Sequence, residues 1–405
     1  MRKYLLLFFI ATSFSLNAQN QPQNNDVKLA ALPIYNFGRG VGLTSPDSLF
    51  QFNIRFRMQN RATFYSNEDE DQYIDAQIRR LRLRFDGFVG DPRFLYVIQL
   101  SFSPQDHGPI EAGGNINIIR DAVFFYRPNS RWNIGFGQTK IPGNRQRINS
   151  SGALQLTDRS VNNSRFNIDR DFGLHIYHLR ENKDRFGYNI KTAITTGEGR
   201  NFTDEEDLGL AYTAKGEIFP FGSFTNNGAY FEGDIMREKS PKLMLSAAYQ
   251  FNDGAIQTQG QRGGELFQAK DMHYLFLDGV LKYNGWALQS AYMQRYTDGS
   301  PIAFDLLDTS GTSFNYALTG RGYDTQLSYI FKNNVELIGR YSYSLPGKKI
   351  QDIVGEINQY TFGVSKYIKE HAFKLQAEIT TETVEFLNQA DRNNWYGRIQ
   401  VEIGI

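Results

Sequence analysis

From Leu49 onward, apolar and polar residues alternate with a period of two, the mark of strands with one apolar and one polar face. Phe50, Phe52, Ile54, Phe56 and Met58 alternate with Gln51, Asn53, Arg55, Arg57 and Gln59. Leu81, Leu83 and Phe85 alternate with Arg80, Arg82, Arg84 and Asp86, while Phe94, Tyr96, Ile98, Leu100 and Phe102 share one face. The rhythm returns at Trp132/Ile134/Phe136, Phe172/Leu174/Ile176, Phe186/Tyr188/Ile190 and Leu243/Leu245/Ala247/Tyr249/Phe251. It ends with Val335/Leu337/Gly339/Tyr341/Tyr343 and Ile399/Val401/Ile403/Ile405. No comparable stretch has a helical period, so the pattern predicts an all-β chain.

The connections between these strands alternate between tight and long. Gly90-Asp91-Pro92, Asn182-Lys183-Asp184, Asn284-Gly285 and Lys332-Asn333-Asn334 carry turn chemistry. Long connections cover roughly 62–77, 103–115, 140–169, 197–208, 252–271, 297–313, 345–356 and 381–393. One stretch, Pro220 to Pro241, is long where the alternation calls for a short turn. The count comes to about sixteen strands with both ends on the short-turn side, as in transmembrane antiparallel β-barrels with short periplasmic turns and longer outer loops. A soluble sandwich lacks that long–short rhythm. Tyr126, Trp132, Trp286 and Trp395, near strand ends, are placed in interfacial girdles.

Composition narrows the picture. Of 405 residues 14% are aromatic, 44 are Lys or Arg and 43 Asp or Glu, which leaves no basic footprint for nucleic acid. With no cysteine there are no thiolate metal sites, disulfides or lipid-modified cysteine. Arg2 and Lys3 precede an apolar run from Tyr4 to Ala11, and Leu16-Asn17-Ala18 follows, which reads as a signal peptide over residues 1–18. Residues 19–48 then form a periplasmic leader and 49–405 the barrel. Their destination is the outer membrane of a Gram-negative-type bacterium.

The five histidines, His107, His175, His178, His273 and His371, build no metal site or triad. His175 and His178 are an odd step apart and face opposite sides of a strand. No Gly-x-Ser-x-Gly or His-Glu-x-x-His motif occurs, so no catalytic residue, cofactor or metal is expected. The acidic runs Asn67–Asp71 and Asp204–Asp207 read as solvated loop charges, with ion-bridged lipopolysaccharide as the sharper alternative.

Several segments together resemble the phosphate-selective porins of the O and P type. They are Gly38-Arg39-Gly40 and Asp47-Ser48-Leu49-Phe50, leading into Phe56-Arg57-Met58-Gln59-Asn60-Arg61. The arginine-rich Arg79-Arg80-Leu81-Arg82-Leu83-Arg84-Phe85-Asp86-Gly87 is followed by Arg120-Asp121-Ala122 and Tyr126-Arg127-Pro128. Gly137-Gln138-Thr139-Lys140-Ile141-Pro142, Asp158-Arg159-Ser160, Asp169-Arg170-Asp171-Phe172-Gly173, Gly197-Glu198-Gly199-Arg200-Asn201 and Gly322-Tyr323 continue the match. The resemblance implies a sixteen-stranded, usually trimeric outer-membrane barrel whose long third loop, about residues 140 to 169, folds inward. It also implies passage of small anions such as phosphate. The chain departs from the pattern in ending with Ile405 rather than an aromatic residue, and in concentrating its basic residues in the first half.

On this reading Arg55, Arg57, Arg61, Arg80, Arg82 and Arg84 point into the lumen, joined by Arg120, and offer forked donors to phosphate oxygens. Lys140, Arg145, Arg147, Arg159, Arg165 and Arg170 belong to the constricting loop, with Arg145, Arg147 and Arg159 at the narrowing. The competing reading pairs the arginine rows with inward carboxylates such as Asp86 and Glu378, merely holding the wall. The chain is therefore expected to be a passive porin for small polar solutes with a preference for anions, a homotrimer among lipid and lipopolysaccharide. The alternative is a weakly conducting accessory subunit of a larger outer-membrane complex, docked through the leader or the Pro220–Pro241 connection.

Overall fold

The structure, a computed structural model, describes residues 40–68, 71–107, 118–201, 209–308 and 313–405. The expected signal segment 1–18, the expected leader up to residue 39, residues 69 and 70 of the first acidic run and the whole of the second lie outside the described residues.

Sixteen strands form one sheet that closes on itself. They are β1 (Phe50–Ser66), β2 (Tyr73–Val89), β3 (Asp91–Ser101), β4 (Ile119–Tyr126), β5 (Trp132–Lys140), β6 (Arg170–Arg180), β7 (Gly187–Thr195) and β8 (Ala211–Phe219). They continue as β9 (Lys242–Gln257), β10 (Glu265–Tyr283), β11 (Trp286–Thr297), β12 (Gly320–Ile330), β13 (Val335–Pro346), β14 (Glu356–Lys369), β15 (Phe373–Glu385) and β16 (Arg392–Gly404). Each pairs antiparallel with its sequence neighbours, and β16 closes on β1 from Trp395↔Ser66 to Gly404↔Arg57. Closure leaves no edge whose amides would face hydrocarbon unpaired. A further short strand, Val41–Thr44, pairs with residues 51–54 of β1, on the edge that β16 leaves free beyond Gly404.

Strand ends run further than the alternation alone indicates. β9 and β10 extend to Gln257 and from Glu265, so the connection expected over 252–271 is a short turn between two long strands. Their ladder continues past a register shift at Asn252/Ala255, which the period-two pattern does not reveal.

Outward positions carry the apolar set, including Leu277, Leu288, Phe362, Ile379 and Ile399. Two aromatic rims bound this belt. At the short-turn end Trp286 packs on Tyr329, Trp132 on His178 and Phe94 on Tyr126. At the long-loop end Trp395 packs on Phe64, Tyr65 on Tyr73 and His273 on Tyr296. Along β11, Trp286 and Tyr296 are ten residues apart. At the usual strand rise and tilt that spans about 25 Å, the height of a bilayer-facing band.

Inward positions are polar around β1, β2 and β13 to β16, while β3 to β11 mix buried charges such as Arg120, Lys191, Lys215, Glu217 and Lys282 with apolar side chains. The apolar ones gather in two clusters. One joins Val97, Phe125, Tyr177, Phe219, Met244 and Val280 of the wall to Phe224, Ala229 and Tyr230 of the connection after β8. The other joins Ala248, Met272, Tyr274, Phe276 and Met293 to Ile141, Phe166 and Ile168 of the loop after β5.

Leu277 faces outward near mid-belt, 46% exposed. Leu277→Arg is expected to destabilise the folded barrel by about 2–4 kcal/mol, measured by denaturant titration in lipid vesicles.

Candidate functional site

The arginines of β1 and β2 meet face to face. In register, Arg55 lies opposite Arg84 and Arg57 opposite Arg82, so like charges are direct cross-strand neighbours. Carboxylates answer them. Asp86 takes Arg84 at 3.1 Å and Arg55 at 3.5 Å. Asp106, in a helical turn (Pro104–His107) after β3, takes Arg82 at 2.7 Å and Arg120 at 3.0 Å, and accepts from Ser101. Asp158, in the loop after β5, takes Arg79 and Arg80 at 2.8 Å and Arg61 at 3.1 Å. Arg57 donates to Ser150 and Ser151 of that loop and lies 4.0 Å from Glu402. Glu378 turns to Arg398 and to Thr157 instead.

Arg79 enters this group because of a bulge. The register shifts between Gln59 and Asn60, which puts Arg79 beside Arg80 on the Asp158 carboxylate, although strict alternation assigns it to the lipid face. Burial alone would raise the Asp158 carboxyl. The charges of Arg80, Arg79 and Arg61 instead hold it well below the usual carboxylate range, so it is ionised at neutral pH.

Residues 141–169 fold into the lumen. Two short helices, α1 (Arg145–Ile148) and α2 (Val161–Phe166), lie within them, and Ser160 caps α2 by accepting from the Asn163 amide. Lys140 ends β5 and donates to Ile148 O and Asn149 O, while Arg170 opens β6 and grips Asp121. Arg147 pairs with Asp169. Arg159 donates to the carbonyls of Gln146 and Asn149, and Arg165 reaches Ser344 and Gly355 O. Across the lumen, Asn162 donates to Tyr323 O and Tyr343 O, close enough to Gly322 that a Cβ there would overlap it.

Arg145 has a different task. Its Nε donates to Ala229 O, its two terminal nitrogens to Phe231 O and Gln289, and its amide to Asp278. Ala229 and Phe231 belong to the connection over residues 220–241, which folds inward from the short-turn end. Lys282 donates to Gly228 O and Phe231 O, Glu232 accepts from the Gln155 amide, and the Gly285 amide donates to Asp234. Tyr230 donates to Glu217 and Glu181. Asn226 and Asn227 take left-handed φ of 46° and 64°, which turns the segment back toward the wall. The segment and the long loop thus meet inside the barrel as an internal plug.

Against the long loop, a cavity stays along Arg55, Arg57, Arg82, Arg84, Gln99 and Glu402, roofed by Ser150 and Gly152. Sequence reasoning missed the partners Asp106 and Asp158, the bulged Arg79, and two arginines of other loops. Arg200 donates to Asp106 O, and Arg262 faces Arg147 and Asp169. A basic residue next to a glycine in a long connection (Gly199-Arg200, Arg262-Gly263) is the signal the sequence carries for them.

The family model for phosphate-selective porins O and P matches residues 52–394. No curated protein sequence matches the chain. Among solved structures, the outer membrane channel DcaP of Acinetobacter baumannii is similar at 12% identity over 90% of this chain and 100% of that one, with a TM-score of 0.53. OmpF of Salmonella typhi, solved with daunomycin, is similar at 12% identity, 90% and 100% coverage and a TM-score of 0.54. In-vitro folded OmpT of Vibrio cholerae gives 10% identity, 89% and 99% coverage and a TM-score of 0.53. At these identities the likeness concerns the fold.

Arg145→Ala strands two plug carbonyls and Gln289, a loss of about 1–3 kcal/mol. Faster limited proteolysis within residues 220–241 in an intact barrel is the expected result. A second expectation concerns pH. Burial pushes the Glu181 carboxyl, in the turn after β6, up to about 7, against hydrogen bonds from Asn189 and Tyr230. A raised carboxyl stabilises below its unfolded pKa of about 4.3 and loses that contribution as pH climbs through the folded value. Protection of the plug should therefore fall between pH 5 and 8, and Glu181→Gln should flatten the profile.

Proposed function

Because the chain belongs to the phosphate-selective porin O and P family, we propose that it is a passive outer-membrane channel with a modest preference for small anions over cations. Family and fold point to a channel rather than an enzyme. The observation that carries the anion reading is the cavity lined by Arg55, Arg57, Arg82 and Arg84. An anion entering it meets always-charged guanidiniums whose countercharges are shared, and sites that are partly neutralised bind weakly enough to release. On this proposal Arg57, Arg82, Arg84 and Arg120 face the solute. Arg61 and Arg80 feel it through Asp158, and Arg145, Arg165 and Arg170 hold the loop in place. Arg147 stands with Arg200 and Arg262 at the entrance, and Arg159 lies between Arg147 and Arg80.

Residues 1–18 are read as the export signal and the barrel as a homotrimer among lipid and lipopolysaccharide. One observation favours the second reading, a weakly conducting accessory subunit. The plug and the long loop pack two apolar clusters against the inner wall, which a free aqueous pore does not need. Gentle-detergent purification and mass measurement separate the two, since a homotrimer fits the porin and a stable hetero-complex the accessory role.

Reversal potentials in a KCl gradient across a planar bilayer test the main proposal. The wild type is expected to favour anions, and Arg82→Ala to lower the anion-to-cation permeability ratio about two- to threefold, the scale of one partly screened charge. Cation preference in the wild type rejects the reading.

A further inference from the structure

The Asp158 carboxylate occupies the place an oxyanion would take. Three guanidiniums, those of Arg61, Arg79 and Arg80, converge on its two oxygens at 2.8–3.1 Å. Arg340 donates to the Asp158 carbonyl oxygen, and Arg398 stands beside Arg61 with Glu378 as its partner. Three guanidiniums thus share the single Asp158 carboxylate. The Nε atoms of Arg61, Arg80, Arg340 and Arg398 are buried and have no hydrogen-bond partner in the protein. Buried donors without partners are an invitation to further acceptor oxygens. The carboxylate itself is not sealed, since its side chain keeps 19% of its surface. It also sits on a loop rather than on the wall, so it can withdraw without breaking a strand ladder.

From this geometry, and resting on the anion-channel reading above, we infer that Asp158 is a tethered internal anion with which permeating dianions exchange. It holds the three arginines together while the pocket is empty. A hydrogen phosphate or sulfate ion then takes its place, and its return to the pocket expels the solute. The exchange favours doubly charged oxyanions over monovalent ones, because one carboxylate leaves the cluster under-neutralised and a dianion brings it closer to balance. Asp158 is in this sense a selectivity-determining residue whose own charge competes with the cargo.

The test uses the full-length barrel in planar bilayers, reading how sulfate, phosphate and nitrate inhibit the chloride current. In Asp158→Asn the half-inhibiting sulfate concentration should fall about tenfold, since the competing charge is gone. Asp298→Asn, which removes an exposed rim charge outside the lumen, controls for net charge and should leave that concentration unchanged. An anion-selective wild type whose sulfate inhibition is the same in Asp158→Asn overturns the exchange while sparing the channel reading. A cation-selective wild type overturns both. Should Asp158→Asn not assemble, the wild type still decides: sulfate inhibiting no better than nitrate overturns the inference, and a clear preference for sulfate supports it.

Discussion

Arginines set directly opposite one another on neighbouring strands are the constraint around which the lumen is organised. Arg55 against Arg84 and Arg57 against Arg82 would drive β1 and β2 apart if left alone. Only one carboxylate of those two strands, Asp86, bonds to this row, so the rest of the countercharge comes from elsewhere. The helical turn after β3 delivers Asp106, and the loop after β5 delivers Asp158 together with Ser150 and Ser151. The inward fold of both connections is therefore a response to wall charge. Once inside, the longer loop offers Ile141, Phe166 and Ile168 to the opposite wall, where an apolar cluster finishes the work begun by ion pairing.

The lumen consequently has two characters. On the β3 to β11 side apolar clusters pack beside buried ion pairs such as Lys191–Glu217, and the plug over residues 220–241 shares that packing through Phe224, Ala229 and Tyr230. On the β1, β2 and β16 side it stays polar, cavity-bearing and rich in donors without protein partners. Arg145 binds the two halves. It is a cation used for its fork of donors to carbonyl oxygens, which explains why a basic residue at the narrowing need not face the solute.

Strand number, loop alternation, the long third loop and the inward face of Arg80, Arg82 and Arg84 were all legible from a period of two. What was hidden had physical reasons. Asp158 meets Arg80 across 78 residues, and no local pattern announces a pairing at that separation. A bulge moved Arg79 to the lumen because a single inserted residue reverses the parity on which the reading relied. The connection from Pro220 to Pro241 was visible as an anomaly in length, and the apolar Phe224, Tyr230 and Phe231 that it carries are buried.

The short strand Val41–Thr44 has a consequence for the order in which the chain acquires its structure. The seam joins residues more than three hundred positions apart, so β1 waits with an open edge until β16 is available, and such distant pairings form late. An unpaired edge is also where a folding chain recruits wrong partners. By lying along residues 51–54, Val41–Thr44 covers the start of that edge from within its own neighbourhood in sequence. The part of β1 beyond the reach of β16 is thereby paired early, and what stays open until closure is the stretch over residues 57–66 that β16 itself covers.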